Sequence, residues 1–231
     1  MIMSDLSQRI RTLSSKQIAL LAKRLETRSG SRAPAITRSG KRDQLSFAQR
    51  RLWFLHQLAP EDATYNIALA VKLTGALDVS ALNRALSAIV ERHEVLRTTF
   101  AAIDGQPVAK IQPPVAVELG LIDLSGDGDP ERAAREVAAA EAKLPFDLFA
   151  GPVLRGKLLR LAPDVHVLLL TMHHIVSDAW SSGIFFNEVS ELYNAYLSGD
   201  AVRLPEAALQ YVDYAVWQNE SLNGVVEQQL S

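Results

Sequence analysis

The segment Met172-His173-His174-Ile175-Val176-Ser177-Asp178-Ala179-Trp180-Ser181 sets two adjacent histidines four and five residues before an aspartate. Imidazole is the side chain that titrates nearest neutrality, so it can take a proton from an amine or hydroxyl nucleophile and return it at working pH. Asp178 can fix the surrounding geometry through a charge-assisted hydrogen bond to an arginine. It can equally cap a helix starting near Trp180, and the two roles are compatible. Competing readings exist for the histidines. A single histidine beside an apolar strand is more often a satisfied core residue, a reading that a His-His pair followed by Asp weakens. His174 and Asp178 as metal ligands would need a third donor; the remaining histidines are His56, His93 and His166, and there is no cysteine, so no metal is expected.

The pair needs a rigid mount, and the preceding run Val165-His166-Val167-Leu168-Leu169-Leu170-Thr171 has the composition of a strand packed on both faces. Around it the pattern alternates. Helices are expected over 46–58, 78–92, 130–144, 184–197 and 209–222. Asp78 suits the cap of the second, whose core stripe is Leu82, Leu86, Ile89 and Val90, and Pro130 opens the third. Strands are expected over 65–73 and 115–124, as a hairpin of 97–103 and 107–112 around Asp104-Gly105-Gln106, and as a pair of 153–161 and 165–171 across Ala162-Pro163-Asp164. The sum is an α/β sandwich with a mixed sheet covered by helices.

Residues 1–30 are organised differently. Leu6, Ile10 and Leu13, then Ile18, Leu21 and Leu25, give two short amphipathic helices, with Ser14-Ser15-Lys16-Gln17 shaped like a capping box between them. Such a stretch must pack on the body or on a partner. Residues 31–43, with Gly, Ser and Pro among basic side chains, read as a linker, and 44–231 as the main body.

The decapeptide resembles the His-His-x-x-x-Asp-Gly motif of nonribosomal peptide synthetase condensation domains, shared more loosely by chloramphenicol acetyltransferase-like CoA-dependent acyltransferases. Ser46-Phe47-Ala48-Gln49-Arg50-Arg51-Leu52-Trp53-Phe54-Leu55 is similar to the first condensation-domain motif, and Arg92-His93-Glu94-Val95-Leu96-Arg97-Thr98-Thr99-Phe100 to the second. Tyr211-Val212-Asp213-Tyr214-Ala215-Val216-Trp217 is similar to the fourth. One departure stands out: Ala179 occupies the usual glycine position and narrows the approach to substrate by a methyl.

The resemblance implies a chloramphenicol acetyltransferase-like lobe and amide formation between a donor acyl thioester and an acceptor aminoacyl thioester. Both are carried on phosphopantetheine arms of upstream and downstream peptidyl carrier proteins, with an adenylation domain adjoining. No cofactor is expected on this chain itself. His174 is the implied catalytic residue, as base or as the group that orients the amine, with His173 supporting the fold. Asp178 is the implied structural aspartate, its partner open among Arg51, Arg92 and Arg97; breaking a buried pair of that kind costs about 3 to 5 kcal/mol. Ala179, Trp180 and Ser181 are candidate oxyanion or tunnel contacts. Glu94 and Asp213 are expected to close local ion pairs rather than act as acids. Condensation domains have two similar lobes, and the motifs here belong to the first, so the fragment alone is expected to be inactive. Since Met1 opens the chain, residues 1–30 are a docking element for a separate upstream protein or a leader helix packed on the lobe. Two alternatives remain: a CoA-dependent acyltransferase of the same fold, and a noncatalytic docking module.

The 231 residues are 48% hydrophobic and 22% charged, enough for a sizeable core in one or two domains. A formal charge of -2 gives no case for nucleic acid, and no apolar run reaches membrane-spanning length. Zero cysteines exclude a disulfide framework and a thiol nucleophile. With no secretion signal, a cytoplasmic location is expected. Gly126-Asp127-Gly128 lacks the rest of a dinucleotide loop and reads as surface. Neither a Gly-x-Ser-x-Gly elbow nor a phosphate loop occurs.

Overall fold

The computed structural model describes residues 35–201 and 204–230, and its main body begins at Ile36. The expected N-terminal helix pair lies outside the described residues. Ser46 starts α1 (Phe47–Leu58) with a reciprocal cap: its Oγ accepts the Gln49 N–H at 3.2 Å, and Gln49 Oε1 accepts the Ser46 N–H at 3.1 Å. After β1 (Asn66–Thr74), Asp78 caps α2 (Val79–Arg92) through the Ala81 N–H at 2.8 Å. A short 3-10 turn leads into the hairpin of β2 (Thr98–Ile103) and β3 (Gln106–Ile111). Its tight connection holds Asp104 at φ 50° and Gly105 at φ 75°, the left-handed pair that such hairpins require. Next come β4 (Gly120–Asp123), α3 (Pro130–Ala142), β5 (Leu154–Ala162) and β6 (Val165–His173). Two long helices follow, α4 (Ala179–Ser198) and α5 (Tyr211–Leu230).

The main sheet has the order β1-β6-β5-β4, antiparallel except for the parallel β4–β5 pair, so it is mixed as expected. Leu158, Leu168 and Leu170 belong to the large core cluster that also holds Leu86 and Ile89 of α2 and Phe185 and Val189 of α4. Leu159, Leu161 and Leu169, one residue out of phase, meet Ala134 of α3 in a second cluster. The two-residue period of strands thus divides β5 and β6 between two helical layers, which is why β6 reads as continuously apolar.

Element boundaries differ from the sequence reading in several places: the helix expected over 209–222 spans Tyr211–Leu230, and two further differences have a visible cause. The strand expected over 115–124 forms only at Gly120–Asp123. Upstream of it, side chains of α2 take the backbone donors: Val117 N–H goes to Ser87 Oγ at 2.9 Å and Leu119 N–H to Asn83 Oδ1 at 3.2 Å. In addition, α4 starts at Ala179 rather than at 184, because Asp178 caps it there.

The basic stretch ahead of α1 is held to the body over its last residues. Arg42 forms ion pairs with both Glu94 and Asp213, the latter at 3.2 Å, and Asp213 Oδ1 also accepts the Ser39 N–H at 2.9 Å. No helix among the described residues is long and apolar enough to cross a membrane.

Candidate active site

Strand β6 delivers the two histidines to opposite environments. His173, its last residue, is 2% exposed, and its ring meets those of His56 and Phe146 edge-on at 6.0 Å centroid distances. Its Nδ1 accepts the Ile175 N–H at 3.0 Å, which assigns the proton of the neutral ring to Nε2. Burial pushes its pKa down to about 4, and the neighbouring His56 and His174 act in the same direction. This is a neutral structural histidine.

His174 is exposed. Its backbone N–H donates to the Tyr65 carbonyl at 2.8 Å, and its ring Nδ1 lies 2.7 Å from the Ser177 carbonyl oxygen. A carbonyl only accepts, so Nδ1 carries the proton and Nε2 keeps its lone pair. The adjacent rings therefore hold opposite tautomers, and His174 is the one whose basic nitrogen is left open. The turn that follows β6 closes through Val176 N–H to His173 O at 3.0 Å, with Ile175 and Val176 buried as anchors. Gln49 Nε2, from α1, donates to the Ile175 carbonyl at 3.2 Å.

Asp178 faces solvent, with its carboxylate turned onto the start of α4. Oδ1 accepts the Ser181 N–H at 2.8 Å, while Ser181 Oγ accepts the Asp178 N–H at 2.8 Å. The Ser181 N–H is the main reason its pKa falls below the usual carboxylate range; burial opposes, and the Ser181 hydroxyl, the Trp180 N–H and His174 add to the lowering. Among the described residues no ion pair joins Asp178 to Arg51, Arg92 or Arg97, which corrects the expected pairing. Arg51 is exposed on α1. Arg92 Nε lies 3.3 Å from Glu188 on α4, and the same guanidinium donates to the Pro205 carbonyl; Arg97 donates to the Gln112 carbonyl. Glu188 is ten residues along the helix from Asp178, about 15 Å at 1.5 Å per residue, so Arg92 is committed elsewhere.

Ala179 is the first residue of α4, where backbone N–H groups have no intrahelical acceptor. Among the described residues the only non-glycine with positive φ is Asp104, so the backbone at 179 does not call on glycine's freedom, and the added methyl is the whole difference. Trp180 stands 82% exposed beside it. Glu94 and Asp213 close the Arg42 ion pairs described above. A groove of about 670 Å³ lies elsewhere, lined by Thr99, Val115, Leu154 and Gly156 among others, and none of residues 172–181 borders it. Sequence reasoning did not find Gln49 as a neighbour of the histidine loop, because its partner lies 126 positions away. The available signal was its place in a capping box, where a side chain with both donor and acceptor has a spare donor.

A family model described as "Condensation domain" matches residues 41–229. The chain is 47% identical over 190 residues to one of the linear gramicidin synthase proteins of Brevibacillus parabrevis, covering 81% of this chain and 2% of that protein. With phosphinothricin tripeptide synthetase PhsC of Streptomyces viridochromogenes it shares 40% identity over 227 residues, covering 96% of this chain and 21% of that protein. In three dimensions it is similar to the X-domain from teicoplanin biosynthesis, with a TM-score of 0.76 and 31% identity over 84% of this chain. It is also similar to the first condensation domain of the CDA synthetase, with a TM-score of 0.66 and 32% identity over 72% of this chain. The chain spans only 42% and 43% of those two solved chains. Matched along most of its length and alike in fold, the chain belongs to the condensation-domain family.

Proposed function

We propose that the chain is the N-terminal half of a condensation domain that joins a donor acyl thioester to an acceptor aminoacyl thioester, both delivered on the phosphopantetheine arms of carrier proteins. One observation carries the reading: His174 is exposed at the end of a buried strand, with Nδ1–H committed to the Ser177 carbonyl and Nε2 left as a free acceptor. An ammonium has no lone pair with which to attack. Nε2 removes its proton, or holds the neutral amine by accepting an N–H, and the amine nitrogen then attacks the thioester carbonyl carbon. The C–N bond forms as the C–S bond breaks, and the departing thiolate leaves as a thiol with the amine's proton. Negative charge gathers on the carbonyl oxygen meanwhile, and the Ala179 N–H at the start of α4, the one of that turn that Asp178 does not take up, is a donor for it. Holding two tethered reactants together supplies much of the remaining acceleration. Carrier proteins on either side are the partners this chemistry needs, with an adenylation domain in the same synthetase and residues 1–30 as a docking or leader segment ahead of a linker at 31–43.

The test is His174→Ala in a complete two-lobe domain carrying this lobe, supplied with two loaded carriers. We expect an unchanged fold and a loss of amide product on the order of 100-fold or more. Product at near the unsubstituted rate removes His174 from the reaction.

A further inference from the structure

Gln49 is 4% exposed, and both ends of its amide are used. Oε1 accepts the Ser46 N–H at 3.1 Å, and Nε2 donates to the Ile175 carbonyl at 3.2 Å. The partners force this orientation, since an N–H must meet oxygen and a carbonyl must meet NH2. Ile175 is the residue after His174, and its own N–H is bonded to the His173 ring at 3.0 Å. Its peptide groups are therefore gripped from two directions, by the buried histidine on one side and by α1 on the other. Behind Gln49 the network continues: Ser46 Oγ accepts the Gln49 N–H at 3.2 Å and lies 3.0 Å from Tyr211 Oη, at the start of α5. Tyr211, Ser46, Gln49 and Ile175 thus form a chain from α5 through the first turn of α1 to the histidine loop.

We propose that Gln49 is a positioning residue for His174: by holding the Ile175 carbonyl it keeps the 174–177 turn in the one shape that brings His174 Nδ1 onto the Ser177 carbonyl, and so fixes which ring nitrogen is free. Released, the turn keeps the His173 grip on Ile175 N–H but loses the restraint on the following peptide plane, and the 2.7 Å Nδ1–H bond loses its acceptor's fixed position. The ring then exchanges between tautomers, and the basic nitrogen is no longer at one place. For its consequence in catalysis the proposal rests on His174 being the proton-accepting or amine-holding group; the positioning itself is measured without any turnover, so the two fail separately.

Gln49→Glu separates positioning from capping. A carboxylate still accepts the Ser46 N–H, as the acidic member of a capping box does, but presents oxygen to the Ile175 carbonyl and has no proton to give. Ser46→Ala is the complement: it removes the cap and leaves the Gln49 amide free to reach Ile175. Imidazole 15N shifts of His174, read by long-range 1H–15N correlation on the 231-residue chain at a pH where the ring is neutral, report the tautomer. In the unsubstituted chain the Nδ1–H form should dominate. We expect Gln49→Glu to lower the ratio of Nδ1–H to Nε2–H severalfold, and Ser46→Ala to lower the melting temperature while leaving the ratio in place. If the buried carboxylate prevents folding, the uncharged and nearly isosteric Gln49→Met is read in the same way. An unchanged ratio in the folded Gln49 variant overturns the proposal. So does an equal change in Ser46→Ala, which would make the tautomer a follower of general stability.

Discussion

At the level of single residues, the neighbouring histidines are separated by burial. His173 stays neutral in the fold down to about pH 4, against an ordinary value of 6.5. Between those values the unfolded chain binds the extra proton, so stability rises with pH across this window and is lost as pH falls from 6.5 toward 4, by on the order of 3 kcal/mol. His56, lowered chiefly by burial, adds in the same direction. His173→Asn keeps an acceptor for the Ile175 N–H but cannot titrate. Urea midpoints across pH 4 to 7 should therefore slope less steeply in the variant by close to one proton, with the His56 share remaining. An undiminished slope would mean that His173 is not the group that titrates. Asp178 makes a different case. Its capping role was legible in the sequence because a cap and its N–H partner lie three residues apart; its supposed arginine was not, because ion pairing depends on distant chain. Since the carboxylate is exposed and spent on the Ser181 N–H, Asp178→Ala should cost about 1 kcal/mol, as lost caps do, rather than the 3 to 5 of a broken buried pair. Asp178→Asn, which keeps an acceptor, should recover most of it in the same denaturation measurement.

Among the elements, local signals again decided what could be read. Ser46, Asp78 and Pro130 mark helix starts through partners three residues away or through backbone shape, and the structure has helices at all three. Residues 115–119 carry strand-like alternation without forming strand, because Asn83 and Ser87 of α2, some thirty positions back, supply the acceptors that a neighbouring strand would have given. Leu119 then packs where a side chain on β5 would go: a Cβ at Gly156 would lie 2.6 Å from Leu119 Cδ2. The ion pairs of Arg42 tie the segment before α1 to the start of α5 in a comparable way. Asp213 is fully buried, and although the Ser39 and Gln210 N–H groups would remain, Arg42→Ala leaves its charge without a cation among the described residues. The expected loss is about 3 kcal/mol, at the low end for a broken buried pair because Arg42 is itself partly exposed. Arg42→Lys should restore part of it. Equal stability of Arg42→Ala and the unsubstituted chain would show that the backbone donors suffice for Asp213.

For the molecule as a whole, the surface around the histidine loop bears on how a single lobe behaves. The two helices that adjoin the loop each show an apolar stripe to solvent: Phe54 and Leu58 on α1, 57% and 68% exposed, and Trp180 and Ile184 on α4, 82% and 45% exposed. None of the four belongs to the buried core, and His56 and His173 are buried while these side chains stay exposed. Exposed apolar area of this kind is costly in water and is relieved by contact with another surface. In a complete condensation domain we assign that contact to the second lobe, which would also close the site over His174 and exclude water from the thioester. The 231-residue chain by itself should instead relieve it by self-association. Sedimentation velocity across a concentration series should show a shift from monomer toward larger species, and Phe54→Ser with Trp180→Ser should reduce it without lowering the melting temperature. The same chain should make no amide from two loaded carriers until the second lobe is added in cis or in trans. A strict monomer at all concentrations that also turns over substrates would mean that one lobe suffices and that the stripes face water by design.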